Sequence, residues 1–254
     1  MMIVERMRRY PVKSMLGADV SAALVTERGL EGDRARAVLD VATGKIASAK
    51  SPRLWRDLLT LRGAEVPGDE ELSKLLGREV RVADVPPAGA ELERSVPGEV
   101  LDRGVAAEVD HTLVPIGGAA PGTFFDFAPV HLITTSTLEA IAGLSPRGTV
   151  EAERYRPNLI IRTEERGFVE NGWVGRELEI GDELVLGVIA PTPRCAVPTL
   201  AHGALPRDPD ALRTVARHNR VDVLGLKTEP CAGVYARVLR PGTVSTGDDV
   251  RLRT

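Results

Sequence analysis

One stretch restricts the fold of this 254-residue chain more than any other. An unbroken apolar run, residues 184–190, ends in Pro191-Thr192-Pro193-Arg194-Cys195-Ala196-Val197-Pro198-Thr199. A leucine- and valine-rich run of that length suits a buried barrel wall. The prolines that follow exclude helix and hold the next segment extended or turned. That segment carries one of only two cysteines, directly after Arg194. A guanidinium beside a thiol favours thiolate, the form that attacks electrophiles or binds metals. Taken alone, the segment fits a buried, inert thiol equally well.

The rest of the chain predicts a β-rich α+β fold. Strands are expected at residues 22–26, 35–40, 79–83, 130–134, 159–162, 184–190 and 234–239, with a turn and closing strand over 242–252. Helices are few and short. One spans 70–76, with Asp69 as N-cap and Gly77 as stop; a second spans 136–143, opened by a capping box from Ser136 to Glu139. A third spans 210–218, with Asp208 as cap, Pro209 at its first position and Asn219 as terminator. Residues 85–121, rich in Pro and Gly, read as an irregular connection. Aromatic residues make up only 4%, so aliphatic packing must carry the core. The length suits one large domain or two modest ones sharing a core.

Charge and cysteine usage exclude several function classes. A net charge of −3 gives no global basic field for nucleic acid or an anionic membrane. Two cysteines without a C-x-x-C and four histidines exclude the usual zinc frameworks, and point to a reducing compartment. No apolar run approaches the roughly 20 residues that span a bilayer. The opening residues, Met1 to Arg6, lack the apolar region of a signal peptide. A cytoplasmic protein is expected.

Four separated motifs narrow the reading. They are Tyr10-Pro11-Val12-Lys13-Ser14 followed by Gly29-Leu30-Glu31-Gly32-Asp33-Arg34; Tyr155-Arg156-Pro157-Asn158; Gly167 to Trp173 with Leu178-Glu179-Ile180-Gly181; and the Cys195 segment. In order and spacing they resemble the MOSC family, the molybdenum-cofactor sulfurase C-terminal-type domains. The likeness is to members with an N-terminal β-barrel region, such as the mitochondrial amidoxime-reducing component and its bacterial relatives. It runs from about residue 3 to about 252.

The resemblance implies a MOSC barrel core over 111–254 and a packed N-terminal β-barrel region over 1–110, forming one compact unit that shares a cofactor site. The cofactor implied is Mo-molybdopterin. Cys195 would ligate molybdenum, a soft thiolate for a soft-ligand site. Lys13, Ser14 and Arg34 would contact its phosphate and pterin, with Arg156 and Asn158 helping to hold it. Thr192 and Arg194 would shape the metal pocket. Without the resemblance, Lys13 reads as a solvated lysine and Asp33–Arg34 as a surface pair worth little.

The activity implied is reduction of a small N-oxygenated substrate. Electrons would come from a separate donor protein, since no Cys-rich iron–sulfur segment follows residue 252. Two other readings stand beside it: a sulfur carrier with a persulfide on Cys195, and a non-catalytic module that binds or delivers the cofactor. No pyridoxal-phosphate desulfurase segment is present to extract sulfur. Cys231 reads as a small core residue, His131 as a satisfied core histidine, and His202 as a residue at the site's entrance. Asp126 and Glu170 follow family-like patterns. Ala35 and Ala37 stand where members often carry an aromatic, which opens one wall of the pocket.

Overall fold

The computed structural model describes residues 1–118 and 120–253. Its strands are β1 (Met2–Arg9), β2 (Ala18–Val20), β3 (Ala22–Thr26), β4 (Gly29–Leu30), β5 (Ala37–Asp40), β6 (Val80–Ala83), β7 (Glu91–Ser95) and β8 (His111–Pro115) in the first half. The second half adds β9 (Val130–Thr134), β10 (Leu159–Arg162), β11 (Glu177–Ile180), β12 (Leu184–Pro193), β13 (Arg220–Val223), β14 (Lys227–Arg240), β15 (Gly242–Ser245) and β16 (Asp249–Arg253). The helices are α1 (Pro52–Trp55), α2 (Asp69–Leu76), α3 (Pro97–Arg103), α4 (Thr135–Leu144) and α5 (Asp210–His218).

Seven strands close into a barrel in the order β10, β9, β14, β12, β11, β16, β1, with β1 pairing back onto β10. Closure removes the free sheet edge that would otherwise template aggregation. Every pairing in the ring is antiparallel except β9–β10, whose parallel course requires the crossover that α4 provides. The barrel core is aliphatic: Val4, Met7, Leu132, Leu159, Ile161, Leu178 and Leu186 are buried together, joined by the single aromatic Trp173. Each such side chain stabilises by about 1.5–3 kcal/mol. β12 is buried at nearly every position, which is why it reads as a continuous apolar run rather than an alternating one.

The N-terminal segments form a second layer. β15 joins β3 and β4, and β5 pairs with β6. Val25, Leu30 and Val244 of the first sheet pack on the barrel core, while a separate cluster, including Val12, Met15, Val38, Trp55, Leu58, Leu72 and Val80, joins β5 and β6 to α1 and α2. Since β1 belongs to the barrel while the chain just after it enters this layer, the two expected units share a sheet.

Several local expectations change. α4 is capped by Thr134, whose hydroxyl accepts from the Thr137 amide at 3.1 Å; the cap lies two residues before Ser136. α2 begins at Asp69 with Gly68 as its N-cap, and the Asp69 carboxylate instead accepts from the Val82 amide at 2.9 Å, tying the helix to β6. Gly77 does end α2, at φ 67°. Pro209, not Asp208, is the N-cap residue of α5, although Asp208 accepts from the Asp210 amide at 3.0 Å.

The expected irregular connection is ordered structure. β7 and β8 form an antiparallel pair with α3 between them, and Leu92 is buried beside Ile46 and Phe124. Its period escaped notice because β7 spends three of five positions on Glu91, Glu93 and Arg94. Ala119, within that stretch, lies outside the described residues. Among the described residues no helix is long and apolar enough to cross a membrane.

Candidate cofactor site

A cavity of about 240 Å³ opens between the barrel and the N-terminal layer. Of the residues expected from sequence, Lys13, Ser14, Arg34, Arg156, Asn158, Arg194 and Cys195 line it together. Thr192 does not. β12 runs on through Pro193, so Pro191 and Pro193 face the cavity while Thr192 points to the other side of the strand. Its buried hydroxyl has no hydrogen-bond partner.

The backbone around the cavity is strained. Among the described residues four non-glycine residues have positive φ, and three of them line this cavity: Ser14 at 63°, Arg34 at 46° and Arg156 at 56°. Each costs of order 1–2 kcal/mol. Local bonds hold them in place. The Arg34 amide donates to the Tyr10 carbonyl at 2.7 Å, and the Arg156 amide to that of Glu153 at 3.2 Å. Ser14 Oγ accepts from the Ala49 amide at 3.0 Å, fixing the segment that follows β5.

The strain aims cations inward. Arg34 and Arg156 both lie over the buried Tyr10 ring, at 4.8 and 4.3 Å from its centre, so one aromatic face system accommodates two like charges. Asp33 is buried and pairs with Arg34 while accepting from the Tyr10 amide at 2.7 Å, so this is no surface pair. Arg156 has no carboxylate. Burial, then Arg34 and Arg8 against the favourable Tyr10 and Asp33, lowers its pKa to about 10, and its enclosed Nη2 has no acceptor. Arg194 donates from Nη2 to the Tyr155 carbonyl at 2.8 Å, and its buried Nε is also unpartnered.

A second group lies beside these. Asp126 bridges two lysines: Lys13, which also donates to the Phe124 carbonyl at 2.7 Å, and Lys50, at 2.7 Å. Burial lowers the Lys13 pKa to about 8 despite Asp126, with Lys50 and Arg34 adding to the fall. Burial also disfavours charge on Lys50, but Asp126 first, then Cys195 and Tyr235, carry it above the ordinary lysine value. The two lysines hold the Asp126 carboxyl far below its usual range against the pull of burial.

Cys195 is 8% exposed and packs with Ala49, Leu59, Val197 and Leu200, at the junction of the two layers. The segment after it is clamped by Arg154, whose fully buried guanidinium donates to the carbonyls of Leu200 at 3.2 Å and Pro206 at 2.9 Å. Asn158 lines the cavity, but its amide ties strands together: Oδ1 accepts from the His131 amide at 3.2 Å, and Nδ2 donates to the Arg8 carbonyl at 3.3 Å. The ring of His131 sits between the carbonyls of Arg156 and Ala232 and also borders the cavity, with burial and then Arg194 pushing its pKa well down. His202 is buried away from the lining. Cys231 is fully buried opposite Pro193, and burial pushes its pKa to about 12.

Sequence reasoning missed Tyr10 as the support of two guanidiniums, and Lys50, Arg94 and Arg154 altogether. Tyr10 sat inside a quoted motif. Lys50 and Arg94 carried no local signal, because the chain reaches the cavity there through pairings distant in sequence.

The residues present fit an anionic, soft-ligand cofactor. Among the described residues no group of three or more His, Cys, Asp or Glu side chains converges to hold a metal, so the single thiolate of Cys195 would serve a metal already carried by another ligand. The unpartnered nitrogens of Arg156 and Arg194 are donors suited to phosphate or pterin oxygens.

Comparisons with known proteins give the family and the fold. The family model described as MOSC domain matches residues 120–251, and that described as MOSC N-terminal beta barrel domain matches residues 1–72. Among solved structures, the YuaD protein of Bacillus subtilis is similar in fold, with a TM-score of 0.52 at 14% identity, covering 100% of this chain and 97% of that one. YiiM of Geobacillus stearothermophilus aligns with a TM-score of 0.37 at 14% identity, over 56% of this chain and 67% of its own. No curated protein matches the sequence.

Proposed function

The chain belongs to the MOSC domain family, which is associated with molybdenum-cofactor binding, and on that premise we propose that it is a molybdenum-cofactor oxidoreductase acting on N-oxygenated substrates. The observation that carries the reading is the collection of three strained, positive-φ residues around one cavity that also exposes a thiol and two guanidiniums with unpartnered nitrogens. Strain of this kind persists only where the surrounding structure over-determines it, and it clusters at active sites and ligand clamps.

In this reading Arg156 and Arg34, braced on Tyr10, would hold the phosphate, Arg194 would offer donors to the pterin, and Cys195 would supply the protein's sulfur to the metal. When bound, the cofactor supplies two-electron chemistry that the side chains lack. The overall reaction takes two electrons from a separate donor protein and two protons, breaks the N–O bond of a hydroxylamine or amidoxime, and releases water. Packing of Cys195 against Ala49, Leu59 and Leu200 limits solvent on the thiol's inner side.

The test is molybdenum and released pterin per chain, for wild type and Cys195→Ala, from a host that makes the cofactor. Near-stoichiometric pterin with metal lost selectively in the variant supports the reading, and reduction of benzamidoxime with a reduced viologen completes it. Pterin without metal in the wild type favours delivery of the cofactor. Absence of both, with a 32-Da adduct on Cys195 in protein kept from reductants, favours a sulfur carrier.

A further inference from the structure

The wall that faces the cavity from β7 and β8 comes from residues 73–119, which neither family match covers. This segment nevertheless places Arg94 and Val114 on the cavity lining. Its strand β7 is fastened to the N-terminal layer by two backbone bonds, from the Ile46 amide to the Glu91 carbonyl at 2.9 Å and from the Ser95 amide to the Lys50 carbonyl at 3.0 Å. Arg94 therefore sits one residue from a fixed contact with Lys50, on a paired strand rather than a loose loop.

Arg94 has no carboxylate to answer it. Glu93 is taken by Lys45 at 2.8 Å, and Asp126 is shared between Lys50 and Lys13. Across the cavity, six cations (Lys13, Arg34, Lys50, Arg94, Arg156 and Arg194) are met by two carboxylates, Asp126 and the Asp33 that pairs with Arg34, which leaves four positive charges, or three when Cys195 is a thiolate. A phosphate monoester brings only about −2. The surplus calls for a second anion, and Arg94 is the guanidinium that belongs to neither the Tyr10 stack nor the Cys195 segment. The same lining carries apolar side chains, among them Val114, Phe127 and Val223.

We propose that Arg94 is a substrate receptor, and that the physiological substrate is an N-oxygenated compound bearing a carboxylate on an apolar body. The proposal rests on the reductase reading for the fate of the N–O bond, but not for the binding of the carboxylate. A guanidinium–carboxylate pair in a partly enclosed site discriminates against the neutral counterpart by tenfold or more.

The experiment compares 4-(hydroxyamino)benzoate with its methyl ester in the cofactor-loaded protein. Wild type is expected to favour the acid by at least tenfold in kcat/KM, with the difference in KM; Arg94→Gln should collapse that ratio toward one, and Arg94→Lys restore part of it. Pterin content is measured on the same samples. A fall in pterin in Arg94→Gln would assign the residue to the cofactor's phosphate and overturn the proposal. Calorimetry with 4-aminobenzoate and its methyl ester runs alongside, because it needs no turnover. If wild type reduces neither compound, the reductase reading fails, while a preference for 4-aminobenzoate that Arg94→Gln abolishes still supports the receptor. Equal binding of acid and ester by wild type overturns it.

Discussion

The Arg156 guanidinium lies 4.3 Å from the centre of the Tyr10 ring, with no carboxylate partner and with Nη2 enclosed and unpaired. A buried charge held this way costs stability in the empty protein, of order 1–3 kcal/mol for the unmet donor alone. In the proposed function a ligand would meet the donor. Replacing Arg156 with methionine keeps an unbranched apolar stem but removes the guanidinium, and with it the charge and donors. Arg156→Met should therefore raise the melting temperature of cofactor-free protein by a few degrees and lower pterin retention at least tenfold. Thermal denaturation and pterin release on one preparation check both. An apo variant that melts lower yet loads normally would make Arg156 a structural residue.

Lys13 gives the cavity a pH dependence. Burial lowers its pKa to about 8, so its charge is lost as the pH rises through 8. Affinity for an anion should fall over the same interval. Folding stability should move the opposite way: between pH 8 and about 10.4 the unfolded lysine holds a proton that the folded one has released, so stability of the empty protein rises with pH. With inorganic phosphate as probe, its stabilising effect on melting should shrink from pH 7 to pH 9.5 in the wild type and persist in Lys13→Arg. A wild-type shift equal at both pH values would remove Lys13 from the anion site.

The motifs around this site were legible through the family resemblance, and each does reach the cavity. By residue type alone Lys13 and Asp33-Arg34 read as surface groups, and nothing in Ser14, Arg34 or Arg156 announces a positive φ. The parts that escaped depend on pairing across the fold. Lys50 faces the site because Ser14 Oγ and the Ser95 amide hold its segment, and nothing in Ser48-Ala49-Lys50 says so. Thr192 illustrates the reverse error. A proline-flanked threonine looks like loop, but β12 continues to Pro193, and strand alternation turns its side chain away.

Glu170 is a buried carboxyl with no cation. Its Oε2 accepts from the hydroxyls of Thr134 and Thr137 at 2.7 and 2.6 Å, while Oε1 has no partner. Burial outweighs those bonds and raises its pKa. A raised carboxyl pKa gives stability that is fully present below the unfolded value and lost as pH climbs through the folded one. Glu170→Gln keeps an acceptor for both threonines and removes the titration. Its melting temperature relative to wild type should therefore increase between pH 5 and pH 7.5. Glu170→Ala, which leaves Thr134 and Thr137 without their acceptor, should melt lower than Glu170→Gln throughout. A pH-independent difference between wild type and Glu170→Gln would show that Glu170 does not titrate differently on folding.

Arg154 governs the segment that follows Cys195. Its side chain is 0% exposed, and it joins Glu151 at 2.5 Å to the carbonyls of Pro198, Leu200 and Pro206, with Asp208 at 3.9 Å behind. A lysine carries the charge but not the planar fork that reaches these acceptors in several directions. Arg154→Ala would leave the Leu200 and Pro206 carbonyls unmet and Glu151 and Asp208 with Arg147 alone, at a cost of about 1–3 kcal/mol for each unmet group, and is expected to fold poorly. Arg154→Lys is the informative variant. It should fold, melt several degrees lower, and loosen residues 197–206 enough to expose the Cys195 sulfur, which is 8% exposed in the intact protein. Alkylation of Cys195 by iodoacetamide should then accelerate severalfold, while Cys231, enclosed in β14, stays unmodified. Unchanged alkylation alongside the lower melting temperature would mean that Arg154 stabilises the fold without positioning the cysteine.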